Sequence, residues 1–416
     1  MADNSTWAMV EPSNTSNQTT NPIRSMLESS TASFETEESK LPVINMSLGD
    51  PTLYGNFKTH PCVLEAISES LLSYESNGYS PPTGRLDARE AIAKEYSEPE
   101  HGVNFKPSDV YLTCGCSGAV ELAIISLCSA GDNILLPKPG FPLYKTVADS
   151  RGIKYKHYDL DPKKKWQVDL ESLEANIDSK TKAVLINNPS NPCGSNWEKE
   201  HIEDILSICD KYKLPLISDE IYNGMVFTGE KFISAASLSK RVPVLTLGGL
   251  AKRYLVPGYR TGWITIHDPI QVLVKVSEGL ARLSSVLLGP NAVIQRAIPK
   301  IFSGEFNEEF SKETNLKLEE NSKFIYNRVS KINGLTPVMP QGSMYIMILI
   351  DTSIFDDSLK TGGNLFRSLM YEEHVEILPG ELFDFSDSFR IVITPTIEKL
   401  SDALDRIETF CKRHTI

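Results

Sequence analysis

The chain has 416 residues and a net charge of −12 at neutral pH, which argues against a nucleic-acid partner because such a surface needs clustered basic residues. It contains 41% apolar residues but no apolar run near the ~18 residues that span a bilayer, so we expect a globular protein without a membrane partner. At roughly 150 residues per domain, the length suggests about two or three domains.

The seven cysteines are scattered and odd in number, and they show no spacing typical of a zinc site or a disulfide framework. This usage predicts no metal site and favours a reducing compartment. Residues 1–20 are rich in Ser, Thr and Asn and lack the apolar or Arg-rich pattern of an import signal. We therefore expect a cytoplasmic protein with a disordered leader over residues 1–20.

From residue 110 onward, short apolar runs alternate with segments of helical period. The runs predict buried strands at residues 110–114, 134–136, 183–187, 214–218, 244–247 and 262–266. A helix over 118–129 should bury a stripe formed by Val120, Ile124, Leu127 and Cys128. A later helix should bury Ile202, Ile205, Leu206, Cys209 and Tyr212. This alternation predicts a mostly parallel sheet with helices on both faces.

The last ~110 residues differ, because long amphipathic helices accompany predicted strands at 344–350 and 390–394. That pattern is typical of a smaller α+β domain. In an open parallel sheet, ligands bind at the carboxyl ends of the strands. We therefore expect chemically active residues just after the predicted strands.

The first such segment is residues 115–118, Gly-Cys-Ser-Gly, which opens directly into a helix. Free N–H groups and the helix dipole make this an anion site, to which the Ser117 hydroxyl adds a donor. A plain helix cap is the alternative interpretation.

The second segment, residues 187–194, holds two Asn-Pro pairs and a glycine, which predicts a rigid loop. The Asn191 amide there could donate to a phenolate oxygen, or the segment could be an ordinary turn.

Two further segments follow the next strands. Asp219 ends a buried strand, where a carboxylate is costly unless it meets a cation, and Tyr222 lies three residues later. Lys252 follows the run Gly-Gly-Leu-Ala, and we expect a poorly solvated amine there to be nucleophilic toward an aldehyde. Arg260 lies eight residues farther on, and its guanidinium suits a phosphate.

Together these segments match the needs of pyridoxal 5′-phosphate. They supply an amine for its aldehyde, an anion for its ring nitrogen, donors for its phenolic oxygen, and a helix start with an arginine for its phosphate. Phe141 could stack on the ring, although packing in the core is equally compatible with its position.

With these residues, the sequence resembles the fold-type I, class-I pyridoxal-phosphate-dependent aminotransferases over residues 21–413. The matching motifs occur in order at residues 21–24, 47–52, 77–79, 139–141, 188–195, 218–222 and 248–258. The resemblance implies an α/β fold in which a mostly parallel seven-stranded sheet lies between helices, with a smaller α+β domain beside it. It further implies an N-terminal arm with part of the small domain at 21–74, a large cofactor-binding domain at 75–307, and a small C-terminal domain at 308–416.

The resemblance also implies roles for the cofactor residues. Lys252 would bond to the cofactor aldehyde and later move the proton between the substrate Cα and cofactor C4′. Asp219 would keep the ring nitrogen protonated, Asn191 and Tyr222 would bind the phenolic oxygen, and Phe141 would stack on the ring.

The phosphate would be held by the Cys116 backbone, Ser117 and Arg260. Tyr79 would reach the phosphate of a second subunit, which implies a homodimer with shared active sites.

For the substrate, the resemblance implies that Arg390 binds the α-carboxylate and that the Gly49 backbone approaches the same group, beside Asn191. Val286 stands where a basic residue is common in the family, so Arg24 and Arg282 become the candidates for a second carboxylate.

Within the family, the motifs are most similar to the members that use tyrosine. This implies transfer of the amino group of L-tyrosine, and of phenylalanine, to 2-oxoglutarate, giving 4-hydroxyphenylpyruvate and glutamate. Three alternatives stay open: an aminotransferase for another amino acid such as alanine or a methionine-type substrate, an elimination enzyme with the same cofactor, and a binding protein that keeps the fold without catalysis.

Overall fold

The computed structural model describes residues 9–34, 41–303 and 308–416, and its elements are numbered here in chain order. The strands are β1 Ile44–Asn45, β2 Val110–Cys114, β3 Asn133–Lys138, β4 Lys154–Asp161, β5 Gln167–Val168, β6 Thr181–Asn187, β7 Leu216–Asp219, β8 Val244–Gly249, β9 Thr261–His267, β10 Leu335–Pro337, β11 Tyr345–Ile350, β12 Val375–Glu376, β13 Leu378–Pro379 and β14 Ser388–Val392. The helices are α1 Asn14–Gln18, α2 Pro22–Phe34, α3 Pro61–Leu72, α4 Leu86–Tyr96, α5 Gly115–Leu127, α6 Leu143–Ser150, α7 Leu170–Ala175, α8 Lys199–Tyr212, α9 Ala235–Leu238, α10 Val274–Ser284, α11 Ala292–Phe302, α12 Glu308–Val329, α13 Gly362–Glu373 and α14 Ile397–Arg413.

The large domain is built on a mixed sheet with the order β2–β9–β8–β7–β6–β3–β4–β5 in the described part of the chain. Strands β8, β7, β6, β3 and β4 run parallel, while β9 is antiparallel to both of its neighbours. The prediction of a mostly parallel sheet between helices is therefore confirmed. The two-residue strand β5 adds an eighth, antiparallel member to the seven strands that the family resemblance implies.

The local predictions agree closely with these elements. Strand β2 has the predicted bounds, and the predicted helix over 118–129 begins three residues earlier, at Gly115. One side-chain prediction is wrong. Tyr212 at the end of α8 is 39% exposed, because its hydroxyl donates to Glu174 Oε1 (2.8 Å) at the surface instead of packing with the buried face of the helix.

The smaller domain contains the antiparallel sheet β10–β11–β14–β13, against which α12, α13 and α14 pack. Strand β1 from the N-terminal part of the chain pairs in parallel with β12 of this domain. The predicted α+β domain is thus confirmed, and β1 adds an N-terminal strand to it.

Helix α3 falls within the bounds predicted for the N-terminal arm, residues 21–74, but it packs on the large domain. It packs on α11 and buries Cys62, Val63 and Ala66 in one core with Ile298 and Ile301 of the large domain. This apolar contact assigns residues 61–72 to the large domain, whose predicted start was residue 75.

Part of the predicted leader also has regular structure. Ser13 Oγ accepts from the N–H of Ser16 and caps α1, and the Thr146 hydroxyl of α6 donates to the Thr20 carbonyl (2.8 Å). The prediction that residues 1–20 are disordered is therefore wrong for residues 13–20, which are stabilised by the helix cap and by the contact with α6. Residues 1–8 lie outside the described part of the chain. Among the helices of the described ranges, none is both long and apolar enough to cross a lipid bilayer.

Candidate active site

A cavity of 680 Å³ lies at the carboxyl ends of β6, β7 and β8, between the large domain, residues 47–50 and the strands β11 and β14. Parallel strands bring their carboxyl ends to one edge, so residues that are far apart in sequence meet there. The cavity is lined by almost all of the predicted site residues: Gly49, Cys116, Ser117, Phe141, Asn191, Asp219, Tyr222, Lys252, Arg260 and Arg390.

Asp219 is a buried carboxylate with only neutral hydrogen-bond donors. Its Oδ2 accepts from the Tyr144 hydroxyl (2.7 Å), and its Oδ1 accepts from the N–H of Ile221 (3.2 Å) and the thiol of Cys116 (3.6 Å). Burial raises the pKa of Asp219 above its ordinary value, and the Tyr144 hydrogen bond is the largest effect that opposes this rise. No lysine or arginine of the described residues forms an ion pair with it. A cationic ligand group would complete this environment.

Lys252 lies beyond β8 and reaches across the cavity to the N-terminal part of the chain. Its Nζ donates to the Gly49 carbonyl (2.6 Å) and lies 5.9 Å from the ring centre of Tyr222. The amine is therefore inside the cavity and next to Tyr222, as a nucleophile for a bound aldehyde must be.

The start of α5 forms the predicted anion site. Gly115 has φ of +70°, and a Cβ there would lie 2.7 Å from the Arg260 guanidinium, so the helix begins beside this arginine. Gly262 on β9 lets the helix approach, because a Cβ at that position would lie 2.5 Å from the Cys116 nitrogen. Ser117 and Arg260 are both exposed to the cavity. Helix N–H groups, a hydroxyl and a guanidinium together suit a phosphate.

Arg390 is a buried cation on β14, with 2% of its surface exposed. One terminal nitrogen donates to Asn191 Oδ1 (2.8 Å), the other donates to the Ser47 carbonyl, and Nε has no hydrogen-bond partner among the described residues. Burial lowers the pKa of this guanidinium, and no described carboxylate pairs with it. Because an unpaired buried charge is costly, Arg390 is suited to a ligand carboxylate.

Three predicted residues differ in their relation to the cavity. Tyr79 is 95% exposed and does not line the cavity of its own chain. Arg24 on α2 lines the cavity and is exposed there. Arg282 lies on α10 outside the cavity of its own chain, 3.9 Å from Glu278.

The sequence interpretation missed Tyr144 and Tyr345, whose roles depend on contacts between distant elements. Tyr144 on α6 supports Asp219, and Tyr345 on β11 forms a hydroxyl–hydroxyl hydrogen bond with Tyr222 (2.8 Å). The sequence signal for Tyr144 is its position three residues after Phe141, and in the structure the two rings meet edge to face (5.7 Å between centroids). For Tyr345 we find no comparable local signal.

The donor set fits pyridoxal 5′-phosphate. The unpaired Asp219 carboxylate suits a protonated ring nitrogen, the Lys252 amine suits an aldehyde, and the Tyr222 phenol suits an anionic oxygen. Burial raises the pKa of Tyr222 well above its ordinary value, so this phenol stays protonated and can donate.

Comparison with known proteins gives a consistent result. The model of the family described as aminotransferase class I and II matches residues 42–407. The tyrosine aminotransferase of Mus musculus is 42% identical over 406 residues, which cover 97% of this chain and 88% of the mouse protein. That of Dictyostelium discoideum is also 42% identical, with 97% of each chain covered. The crystal structure of the tyrosine aminotransferase from Leishmania infantum superposes with a TM-score of 0.93 at 35% identity, covering 99% of this chain and all of that one.

Proposed function

This chain belongs to the aminotransferase class I and II family, and we propose that it transfers the amino group of L-tyrosine to 2-oxoglutarate with pyridoxal 5′-phosphate as its cofactor. The observation that carries the proposal is the convergence of Lys252, Asp219 and Arg390 on one cavity. An amine, an unpaired carboxylate and an unpaired guanidinium are the groups that a pyridine aldehyde and an amino acid together require.

The cofactor would supply an aldehyde that takes up the amino group and a protonated ring that withdraws electrons. Lys252 would bond to the aldehyde, and Asp219 would hold the proton on the ring nitrogen. The start of α5, Ser117 and Arg260 would bind the phosphate, and Phe141 would lie against the ring. Because Asn191 Oδ1 already accepts from Arg390, its amide nitrogen is the atom that could donate to the phenolic oxygen.

The substrate residues follow from the same geometry. Arg390 would bind the α-carboxylate, since its two-pronged guanidinium matches a carboxylate and has no acidic partner in the described chain. Gly49 would let the ligand approach the backbone. Lys252 Nζ, next to Tyr222, is the base suited to move a proton from the Cα of the amino acid.

Tyrosine as the amino donor is supported by the names of the relatives in mouse, Dictyostelium and Leishmania. Phenylalanine, which lacks only the phenol hydroxyl, is the second expected donor. For the acceptor, Arg24 is the proposed contact of the second carboxylate of 2-oxoglutarate, because it lines the cavity and forms no salt bridge within the described residues.

A homodimer with shared sites forms part of the proposal. Residues 286–288, Val-Leu-Leu, are between 44% and 77% exposed, and the neighbouring Gly289 approaches the carbonyl of Pro82, three residues from the 95% exposed Tyr79. Large exposed apolar side chains in one region are typical of a protein interface. A second copy that covers them would bring Tyr79 toward its own phosphate site. Light scattering of the purified protein tests this, and a monomer at micromolar concentration would contradict it.

We also place the protein in the cytoplasm. The seven cysteines are free thiols in the structure, which suits a reducing compartment. Cell fractionation with an antibody tests this placement.

The proposed activity is tested by mixing the cofactor-loaded protein with one amino acid at a time. We expect tyrosine to change the cofactor absorbance and to yield 4-hydroxyphenylpyruvate by mass spectrometry, and 2-oxoglutarate to restore the original absorbance. Lys252→Ala should abolish both changes, while Lys240→Ala, at an exposed lysine outside the cavity, should leave them intact.

Wild-type turnover by Lys252→Ala would overturn the mechanism. Reaction with alanine but not with tyrosine would overturn the substrate and leave the reaction class in place.

A further inference from the structure

Tyr345 contacts two of the proposed ligand-binding side chains at once. It lies on β11, is 2% exposed, and lines the cavity. Its hydroxyl is 2.8 Å from that of Tyr222, and its ring centre lies 4.3 Å from the guanidinium carbon of Arg390. A single side chain therefore connects the phenol proposed for the cofactor with the cation proposed for the substrate.

The contact with Tyr222 can run in either direction, because each hydroxyl can donate or accept. Only one direction leaves the Tyr222 hydrogen free for a ligand, namely the one in which Tyr345 donates. A hydroxyl that accepts a hydrogen bond becomes a better donor through its own hydrogen. In this arrangement Tyr345 strengthens Tyr222 as a donor toward an anionic oxygen in the cavity.

The contact with Arg390 is a cation–π interaction in a buried setting, where such contacts are strongest. The ring covers one face of the guanidinium plane, while Asn191 and the Ser47 carbonyl take hydrogen bonds from its terminal nitrogens. The long arginine side chain is thereby restrained in orientation before it meets a carboxylate, which reduces the entropy lost on binding.

Gly49 lies against Tyr345, and only a glycine at position 49 leaves room for the tyrosine to make both contacts. A Cβ at Gly49 would lie 2.4 Å from the Tyr345 hydroxyl oxygen and 3.3 Å from the ring. Any other residue at position 49 would push the tyrosine away from Tyr222 or from Arg390.

We propose that Tyr345 is a positioning residue that orients the Tyr222 hydroxyl through its own hydroxyl and the Arg390 guanidinium through its ring. This inference rests on the proposed function, since it assigns Tyr222 to the cofactor and Arg390 to the substrate carboxylate. The two halves of the role use different atoms of one side chain and can be separated by substitution.

Tyr345→Phe removes the hydroxyl and keeps the ring under Arg390. A weaker donor at the phenolic oxygen of the cofactor disfavours the deprotonated form, so the pH midpoint of the cofactor absorbance should rise by roughly half to one unit. Binding of 3-(4-hydroxyphenyl)propionate, a carboxylate without an amino group, should stay within about twofold of wild type, because the ring contact is unchanged.

Tyr345→Leu removes the ring as well. The dissociation constant of the same carboxylate and the KM for tyrosine should rise about 3- to 30-fold, with a much smaller change in kcat. Tyr371→Phe, at a 60% exposed tyrosine outside the cavity, is the matched control and should alter neither the absorbance titration nor the binding.

A wild-type absorbance titration in Tyr345→Phe would overturn the hydroxyl role. Equal carboxylate affinity in wild type and the leucine variant would overturn the ring role. If the leucine variant does not fold, the phenylalanine variant still decides the first half. Tyr345→Met, which has a long side chain without an aromatic ring, then replaces the leucine variant for the second half. Failure of the wild-type protein to react with tyrosine would instead refute the proposed function, so the two failures are distinguishable.

Discussion

Replacing Tyr144 by phenylalanine isolates one hydrogen bond at the centre of the site. The Tyr144 hydroxyl donates to Asp219 Oδ2 at 2.7 Å, and both side chains are buried. Phenylalanine keeps the ring and removes this donor. A hydrogen bond to a charged group contributes about 1.5–3 kcal/mol, which corresponds to roughly 1–2 pKa units at 1.36 kcal/mol per unit. The pKa of Asp219, which burial already raises, should therefore rise further by that amount.

This shift has a defined effect on stability. Because the folded-state pKa of Asp219 lies above its unfolded value, the contribution of this group to stability is fully present at low pH and is lost as the pH rises through the folded pKa. The variant has a higher folded pKa and so loses more than wild type. We expect Tyr144→Phe to lower the free energy of unfolding by about 1.5–3 kcal/mol at pH 8 and by clearly less at pH 5.

Urea unfolding of the cofactor-free protein, followed by tryptophan fluorescence, measures both differences. The matched control is Tyr158→Phe, since this buried tyrosine donates at 2.8 Å to the neutral carbonyl of Leu185. Its loss should be about 0.5–1.5 kcal/mol at either pH. If the loss in Tyr144→Phe did not grow with pH, or did not exceed that of the control at pH 8, the assignment of Tyr144 as the main support of the Asp219 charge would be refuted.

Three further substitutions test other parts of the structure. Arg390→Lys keeps the charge but loses the two-pronged geometry, so kcat/KM for tyrosine should fall about 10- to 100-fold in steady-state assays, and an unchanged value would contradict the carboxylate role. Gly262→Ala should lower the free energy of unfolding in urea by about 1–3 kcal/mol, because the added Cβ meets backbone atoms of α5. The control Gly279→Ala, inside α10, should raise the free energy of unfolding by up to about 1 kcal/mol. Equal changes in the two variants would contradict the close approach of α5 to β9. Burial raises the pKa of Glu220 to about 7, so the ionisation of this carboxyl destabilises the fold as the pH rises through 7. Glu220→Gln should therefore be more stable than wild type by about 3 kcal/mol at pH 8 but not at pH 5. The same difference at both pH values would refute the buried ionisation.

The parts of the site that were predictable from sequence are those placed by the parallel sheet. Asp219 and Lys252 each follow a buried apolar strand, and the carboxyl ends of neighbouring parallel strands must meet. Arg390 was predictable for a related reason, since an arginine inside an apolar strand needs a partner. For these residues the local pattern determines both the position and the chemical reason for it.

Other features depend on contacts that no local pattern encodes. Strand β4 was not predicted, because it has mostly polar residues and only two buried positions and so lacks the apolar run by which the predicted strands were identified. Tyr345 looks like any core tyrosine on a strand, and its relation to Tyr222 arises only when β11 packs on the large domain. Tyr212 was wrongly placed because helical period alone cannot distinguish the edge of a buried face from a surface position at the helix end.

The residues that form the substrate side of the cavity are far apart in the sequence, and this separation affects the order of folding during synthesis. Arg390 donates to the carbonyl of Ser47, 343 residues earlier, and Asn45 of β1 donates to Glu376, 331 residues away. Contacts of such separation form slowly, and N-terminal parts of a chain leave the ribosome first. The large-domain sheet can therefore form before β12 and β14 are synthesised, when residues 44–50 still lack their partners. Arg390 and the Ser47 backbone that faces it would come together only near the end of synthesis. A partly synthesised chain should therefore bind no substrate.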